Sequence, residues 1–173
     1  MATATLVSTE EYLSTSYRPD CEYLDGIILE RNVGEHDHGR TQTRLAIFFG
    51  LREREWGIRV IVELRVQVKA QRFRVPDVYV CAATAPIEPI ITQPPILCVE
   101  ILSKDDRMSE MMERVNDYLA FGAPSVWVID PGARRGYVYS PGASHEPVDG
   151  VLRVAQTPIA VPLADILPEM DAE

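Results

Sequence analysis

Polar and hydrophobic residues alternate along the middle of the chain, as expected for strands with one buried face. In residues 60–68 every second position is valine or leucine, and after a turn at Ala70-Gln71 residues 72–81 predict a partner strand. Residues 96–102 and 125–129 are almost continuously apolar, which is typical of central strands covered on both faces. Residues 136–139 predict a short edge strand.

Elsewhere the apolar residues recur every three or four positions, which predicts helices. Residues 39–56 and 106–121 have this spacing, and Gly57 and Gly122 follow them as C-terminal stop signals. Shorter helices are expected over residues 9–13 and 163–167, and the proline-rich residues 84–95 predict a loop. Asp25-Gly26, between two apolar stretches in residues 21–31, predicts a β-hairpin.

The order of these elements predicts an α/β fold. The strand over residues 96–102, the helix after it and the strand over residues 125–129 form a crossover, which implies a parallel pair in a mixed sheet. With 173 residues the chain has the length of one domain, and we expect a single domain over residues 1–173.

Composition narrows the classes of protein that fit. Hydrophobic residues make up 46% and charged residues 25% of the chain, no apolar run approaches the roughly 20 residues that span a bilayer, and the first residues lack the features of a signal peptide. Cys21, Cys81 and Cys98 are widely spaced, which favours buried thiols over disulfides or zinc. We therefore expect a cytoplasmic protein.

The net charge of −9 argues against electrostatic coating of nucleic acid.

Two carboxylates stand within the predicted strands: Glu100 in ILCVEIL and Asp77 in FRVPDVYV. A carboxylate that loses its hydration is costly unless it is paired, protonated or bound to a metal. Two carboxylates on adjacent strands repel each other and call for a cation, and hard oxygen ligands suit Mg²⁺ or Mn²⁺. The alternative is that Glu100 pairs with an arginine such as Arg74 while Asp77 caps a turn.

These residues and their neighbours resemble the PD-(D/E)XK nuclease superfamily, and more narrowly its bacterial Uma-two family of restriction-endonuclease-like proteins. The matching motifs cover residues 8 to about 140; they are RVPD, CVEILS, the EYLDG hairpin, GEHDHGR, and DDRMSEMMERVNDYLAFGAP leading into VWVIDP. The resemblance implies a restriction-endonuclease-like core with a mixed central sheet flanked by helices and an N-terminal β-hairpin extension. It also implies metal-dependent hydrolysis of phosphodiester bonds, with Asp77 and Glu100 as the two metal-binding acids.

The chain departs from the superfamily pattern at the catalytic lysine. The superfamily usually has lysine two residues after the second acid, where this chain has Leu102. In the Uma-two family the lysine lies on the following helix, at a position that is Arg114 here. Arginine keeps the charge and grips phosphate, but it cannot act as a general base. Lys104 is the nearby lysine and would substitute from the loop; the ordinary alternative is a solvated loop lysine.

His38 matches a recurrent histidine of the family, which implies that it lines the cleft and orients water or phosphate. The alternatives are a zinc site shared with His36 and plain capping of the following helix by Asp37. Glu22 matches a recurrent acid of the hairpin, with a supporting role. Tyr118 fits a packing position.

The expected function is therefore that of a Mg²⁺- or Mn²⁺-dependent endonuclease acting on DNA, with only weak or local DNA contact because of the negative charge. A homodimer formed through the edge strand at residues 137–139 is a further expectation. The alternatives are a catalytically silent nuclease-fold binding module and a phosphodiesterase for small nucleotides.

Overall fold

A computed structural model describes residues 6–32 and 34–169, so the ends of the predicted domain lie outside it. Its helices are α1 (Thr9–Ser14), α2 (His36–Gly50), α3 (Glu53–Trp56), α4 (Met108–Phe121) and α5 (Leu163–Ile166). Its strands are β1 (Glu22–Leu24), β2 (Ile27–Leu29), β3 (Ile58–Val62), β4 (Val66–Lys69), β5 (Arg72–Arg74), β6 (Val78–Ala82), β7 (Leu97–Ile101), β8 (Val126–Asp130), β9 (Arg135–Ser140), β10 (Ala143–His145), β11 (Val151–Arg153) and β12 (Ala160–Pro162).

Six of these strands form a mixed central sheet in the order β10-β9-β8-β7-β6-β3. β7 and β8 are parallel and are joined through α4, while the other pairs of this sheet are antiparallel. The predicted mixed sheet and its crossover are confirmed. The prediction that residues 136–139 form an edge strand is wrong, because β9 lies between β8 and β10.

The predicted hairpin is confirmed as β1 and β2. Asp25 and Gly26 have φ angles of 49° and 101°, the left-handed conformation that both central residues of a type I′ turn require. The hairpin is also part of a larger sheet. β1 also pairs with β5, so that β2-β1-β5-β4 form a second sheet.

The two long strands predicted over residues 60–68 and 72–81 are each divided between the two sheets. The first is interrupted after β3, where Glu63 has a φ of 52°. The second is interrupted at Val75-Pro76-Asp77, where proline lacks the N–H that a ladder needs. Apolar residues continue to alternate through the first break, whereas Pro76-Asp77 interrupts the pattern at the second. Periodicity alone therefore predicts a continuous strand over residues 60–68. The second break places Asp77 where the two sheets meet.

The long helices also differ in their bounds from the prediction. α2 begins at His36 instead of residue 39, and Leu51 and Arg52 separate it from α3. α4 begins at Met108, two residues later than predicted. Ser103 precedes it in the loop after β7. The carboxylate of Asp106 accepts a hydrogen bond from the Ser103 N–H at 2.7 Å.

The two helices cover opposite faces of the central sheet. Leu45 and Phe49 of α2 pack with Val99 and Trp127 and with the β11-β12 hairpin, whereas Val115 of α4 packs against the other face. This coverage explains why β7 and β8 are apolar on both faces. Within the described residues, no helix is long and apolar enough to cross a membrane.

Candidate active site

Asp77 lies just before β6 and is only 2% exposed. Its Oδ1 accepts a hydrogen bond from Nη2 of Arg31 at 2.7 Å, and its Oδ2 accepts one from the Ile101 N–H at 2.7 Å. Nε2 of His38 lies 3.3 Å from the same Oδ2. Asp77 therefore joins β6 to β7 and to α2, and the alternative that it merely caps a turn is wrong.

Glu100 lies on β7 and is 3% exposed. Its Oε1 accepts a hydrogen bond from the hydroxyl of Tyr118 at 2.6 Å, so Tyr118 is more than the packing residue expected from its spacing. Burial, and then the nearby charge of Asp77, raise the pKa of Glu100 to about 8. The expected alternative of a Glu100–Arg74 pair is wrong, because Arg74 pairs with other carboxylates.

Arg114 extends from α4 toward Glu100. Its Nε donates to Oε2 of Glu22 at 3.3 Å, and its Nη1 lies 3.9 Å from Oδ1 of Asp106. Burial alone would lower the pKa of Arg114, but the charges of Glu100 and Glu22 raise it above its usual value. Arg114 is thus a fixed cation beside the acids.

Lys104 does not join this cluster. Its side chain is 70% exposed and pairs with Glu35. The structure therefore places Lys104 as an exposed loop lysine, the ordinary alternative for this residue.

His38 occupies the first turn of α2 and does not precede the helix as expected. Burial alone would lower the pKa of His38, but the hydrogen bond and charge of Asp77 raise it. A Cβ on Gly34 would lie 2.9 Å from Nδ1 of His38, so glycine at this position leaves the ring room. His36 is exposed and contacts Asp37, and no side chain caps α2.

The structure adds two residues that the sequence did not single out. Arg31 follows β2 and provides the cation next to Asp77. Asp106 accepts a hydrogen bond from Asn32 at 2.8 Å and contacts Arg114. No periodicity or motif indicated Arg31, because its role depends on a partner 46 residues away.

Behind Arg114 lies a buried chain of ion pairs that joins the second sheet to α4. Glu22 accepts hydrogen bonds from Nη1 of Arg74 at 2.8 Å and from the Val75 N–H at 3.2 Å. Nε of Arg74 donates to Oδ2 of Asp117 at 2.8 Å, and Asp117 also contacts Arg72. The supporting acid of the hairpin therefore holds Arg114 and is itself held by Arg74.

Asp77, Glu100, His38 and Arg114 line a polar cavity of about 20 Å³, which is room for about one water molecule. The two carboxylates are the hard oxygen donors that Mg²⁺ and Mn²⁺ prefer. Because like charges repel, ionisation of one carboxyl group makes ionisation of the other less favourable. The donor set therefore fits a divalent cation. Among residues 6–32 and 34–169, no group of three or more histidine, cysteine and acidic side chains is arranged to hold a metal, so neither the His36–His38 zinc site nor an all-protein metal cage is present there.

The fold has a counterpart among solved structures. A crystal structure described as a "putative nuclease belonging to DUF820", from Anabaena variabilis, aligns with a TM-score of 0.80. The two sequences are 21% identical, and the alignment covers 92% of this chain and 97% of that chain. At this identity the likeness establishes the fold, and the expected nuclease fold is confirmed.

No curated protein matches the sequence. A family model does match it: Uma2, described as "putative restriction endonuclease", aligns with residues 9–168. That span is nearly the whole chain and contains every residue of the cluster described above. The chain therefore belongs to the Uma2 family, a nuclease-like family and the one that its sequence motifs indicated.

Proposed function

We propose that this protein is a divalent-metal-dependent endonuclease that hydrolyses phosphodiester bonds of DNA, with Asp77 and Glu100 as the metal ligands. The observation that carries the proposal is the pair of buried carboxylates around a water-sized polar cavity. Burial and the charge of Asp77 each raise the pKa of Glu100 by more than the charge of Arg114 lowers it. A cation between the two acids would compensate their charge.

The chain's own residues would divide the remaining work. Arg114, held by Glu22, would bind a non-bridging phosphate oxygen and stabilise the charge that develops there. It would not remove a proton, because its pKa is raised further above its usual value. His38 and the Ile101 N–H would keep the Asp77 carboxylate in one orientation. A bound Mg²⁺ or Mn²⁺ would supply a more acidic water and stabilise negative charge.

The test compares Asp77→Asn and Glu100→Gln with the unaltered protein in Mg²⁺-dependent cleavage of plasmid DNA. Both variants should lose cleavage and keep the circular-dichroism spectrum of a folded chain. Asp149→Asn is the matched control, since Asp149 is an exposed carboxylate paired with Arg153 and should leave cleavage unchanged. Cleavage at the original rate by either site variant would overturn the assignment.

One observation favours a second candidate, a catalytically silent binding module. The cation at the lysine position is Arg114, which cannot serve as a base, and Lys104 points to Glu35 instead. Stabilisation by Mn²⁺ in a thermal-shift titration without cleavage, together with activity gained in Arg114→Lys, would establish this candidate. Cleavage of bis(p-nitrophenyl) phosphate with plasmid DNA spared would instead indicate a small-nucleotide phosphodiesterase.

Localisation and assembly are part of the proposal. Cys21, Cys81 and Cys98 are all free and buried, which supports a reducing compartment such as the bacterial cytoplasm. The expected homodimer cannot form through residues 137–139, because β9 is not an edge strand; β10, the edge strand next to it, would take that role. Light scattering coupled to size exclusion would measure the assembly state.

A further inference from the structure

Two larger cavities adjoin the cavity between Asp77 and Glu100. The first, of about 370 Å³, shares His38, Ser103 and Asp106 with it. The second, of about 340 Å³, shares Arg31. We name the second the hairpin cavity; its lining is Tyr17, Arg18, Pro19, Cys21, Glu30 and Arg31.

The two cavities differ in charge. The first is lined by four carboxylates and one lysine; the carboxylates are those of Glu35, Asp37, Asp106 and Asp130. The lysine, Lys104, is already paired with Glu35. A phosphodiester anion would be repelled there. The hairpin cavity is lined by Arg18, Arg31 and the single carboxylate Glu30. Arg31 is paired with Asp77, so Arg18 is the cation that an anionic substrate approaching Asp77 from this side would meet first.

Arg18 supplies a cation that the fold does not use. Among the described residues, the ion pairs near this cavity join Arg31 to Asp77 and Arg65 to Asp20, whereas Arg18 is exposed and pairs with no carboxylate. Most of the other lysines and arginines are neutralised by acids of the same chain. The exposed guanidinium is therefore available to a phosphate.

Tyr17 supplies a fixed aromatic surface in the same cavity. Its ring stacks on that of Tyr12, with centroids 5.9 Å apart and planes inclined by 28°. Tyr12 is fully buried and donates a hydrogen bond to the Cys21 carbonyl at 2.8 Å. Because Tyr12 fixes the ring in advance, little conformational entropy would be lost when a flat group binds to it.

We propose that the hairpin cavity binds one unpaired nucleotide next to the scissile phosphate, with its base on Tyr17 and its phosphate on Arg18 and Arg31. Aromatic rings combined with arginines are how proteins hold single strands. A base within a duplex is paired and stacked on its neighbours, so it cannot reach Tyr17 without leaving the helix. The proposal rests on the proposed function and adds a preference for single-stranded substrate.

The test measures binding separately from cleavage. Fluorescence anisotropy of a labelled oligodeoxythymidine is titrated with the full chain in EDTA, alongside a duplex and an oligouridine of equal length. Tyr17→Leu should weaken binding of the single strands about tenfold, since stacking of one base contributes roughly that factor or more. Tyr17→Trp should retain it. Arg18→Ala should reduce the slope of log K against log salt by about 0.7, the value for one phosphate contact of a single strand.

Arg54→Ala is the matched control, because Arg54 is also an exposed arginine but lines a different cavity. It should change neither affinity nor slope. Equal binding by Tyr17→Leu and the unaltered chain, duplex binding as tight as that of the single strand, or no binding at all would overturn the proposal. If binding of the oligouridine also depends on Tyr17, the proposal is supported and the subsite accepts ribose as well as deoxyribose.

Failure of this proposal and failure of the proposed function give different results. If Asp77→Asn abolishes cleavage while Tyr17→Leu binds normally, the nuclease assignment stands and the hairpin-cavity subsite falls. If binding depends on Tyr17 while Glu100→Gln still cleaves, the subsite stands and the metal assignment falls.

Discussion

Replacing Arg74 with methionine removes the charge at the centre of the buried ion pairs and keeps most of the aliphatic volume. Arg74 is 2% exposed, and it lies between Glu22, which is 1% exposed, and Asp117, which is 4% exposed. Its guanidinium donates to both carboxylates at 2.8 Å. The variant therefore leaves two buried acids with less compensation.

The size of the loss follows from what each acid retains. Removing one member of a buried ion pair costs about 3–5 kcal/mol, because the remaining charge stays desolvated. Glu22 keeps the Val75 N–H and Arg114, and Asp117 keeps Arg72. We therefore expect the lower part of that range, about 3 kcal/mol in the free energy of unfolding. This loss is a large fraction of the stability of an ordinary domain.

Urea unfolding followed by tryptophan fluorescence and circular dichroism measures the loss, with an unchanged m-value as the check that the transition remains two-state. Arg153→Met is the matched control, because its pair with Asp149 is 55% exposed on both sides and exposed pairs contribute little. Adding Glu22→Gln to Arg74→Met should recover part of the stability. The reasoning is refuted if Arg74→Met is no less stable than Arg153→Met.

Four further predictions concern Glu100, two glycines and Cys98. The folded chain keeps a proton on Glu100 up to a pKa of about 8 while the unfolded chain loses it near 4.5, so stability should fall as pH rises between these values. Urea titrations across the range should show the fall. Glu100→Gln should remove the part below pH 6.5, whereas the raised pKa of His38 contributes a further fall above that value. A Cβ on Gly136 would meet the side chain of Leu163 at 2.9 Å, so Gly136→Ala should lower the unfolding free energy by about 1–3 kcal/mol. At Gly39 on α2 a Cβ would meet nothing within 4 Å, so Gly39→Ala should raise the unfolding free energy by about 0.5–1 kcal/mol in the same assay. Burial raises the pKa of the Cys98 thiol, so it should react with a thiol reagent only when urea unfolds the chain. Rapid labelling of Cys98 in the native protein, located by peptide mass spectrometry, would contradict this.

Local patterns in the sequence were sufficient to identify most elements of the fold. Residues 96–102 predicted a fully covered strand, and β7 is buried along its whole length. Asp25-Gly26 predicted the hairpin turn, because the required backbone angles depend on those two residues alone. The spacing in residues 106–121 predicted α4, although the helix begins two residues later. Such features are set by neighbours along the chain, so they can be predicted from it.

The same reasoning identified Glu100 and Asp77, because a carboxylate in an apolar strand has a cost that is visible without any structure. What surrounds them depended on the tertiary fold. The breaks at Glu63 and at Pro76 divide each predicted strand between two sheets, and apolar alternation continues unchanged through the first of them.

Charge compensation was decided by the tertiary structure alone. Arg31 meets Asp77 across 46 residues, and Arg74 meets Glu22 across 52. An arginine on an isolated strand carries no sign of which acid it will neutralise, since the choice follows from which strands and helices pack together. Local patterns along the chain were therefore enough to predict that two acids would be buried. The packing of the two sheets and α4 decided which arginines lie beside those acids, and it left others, such as Arg18, available to a ligand.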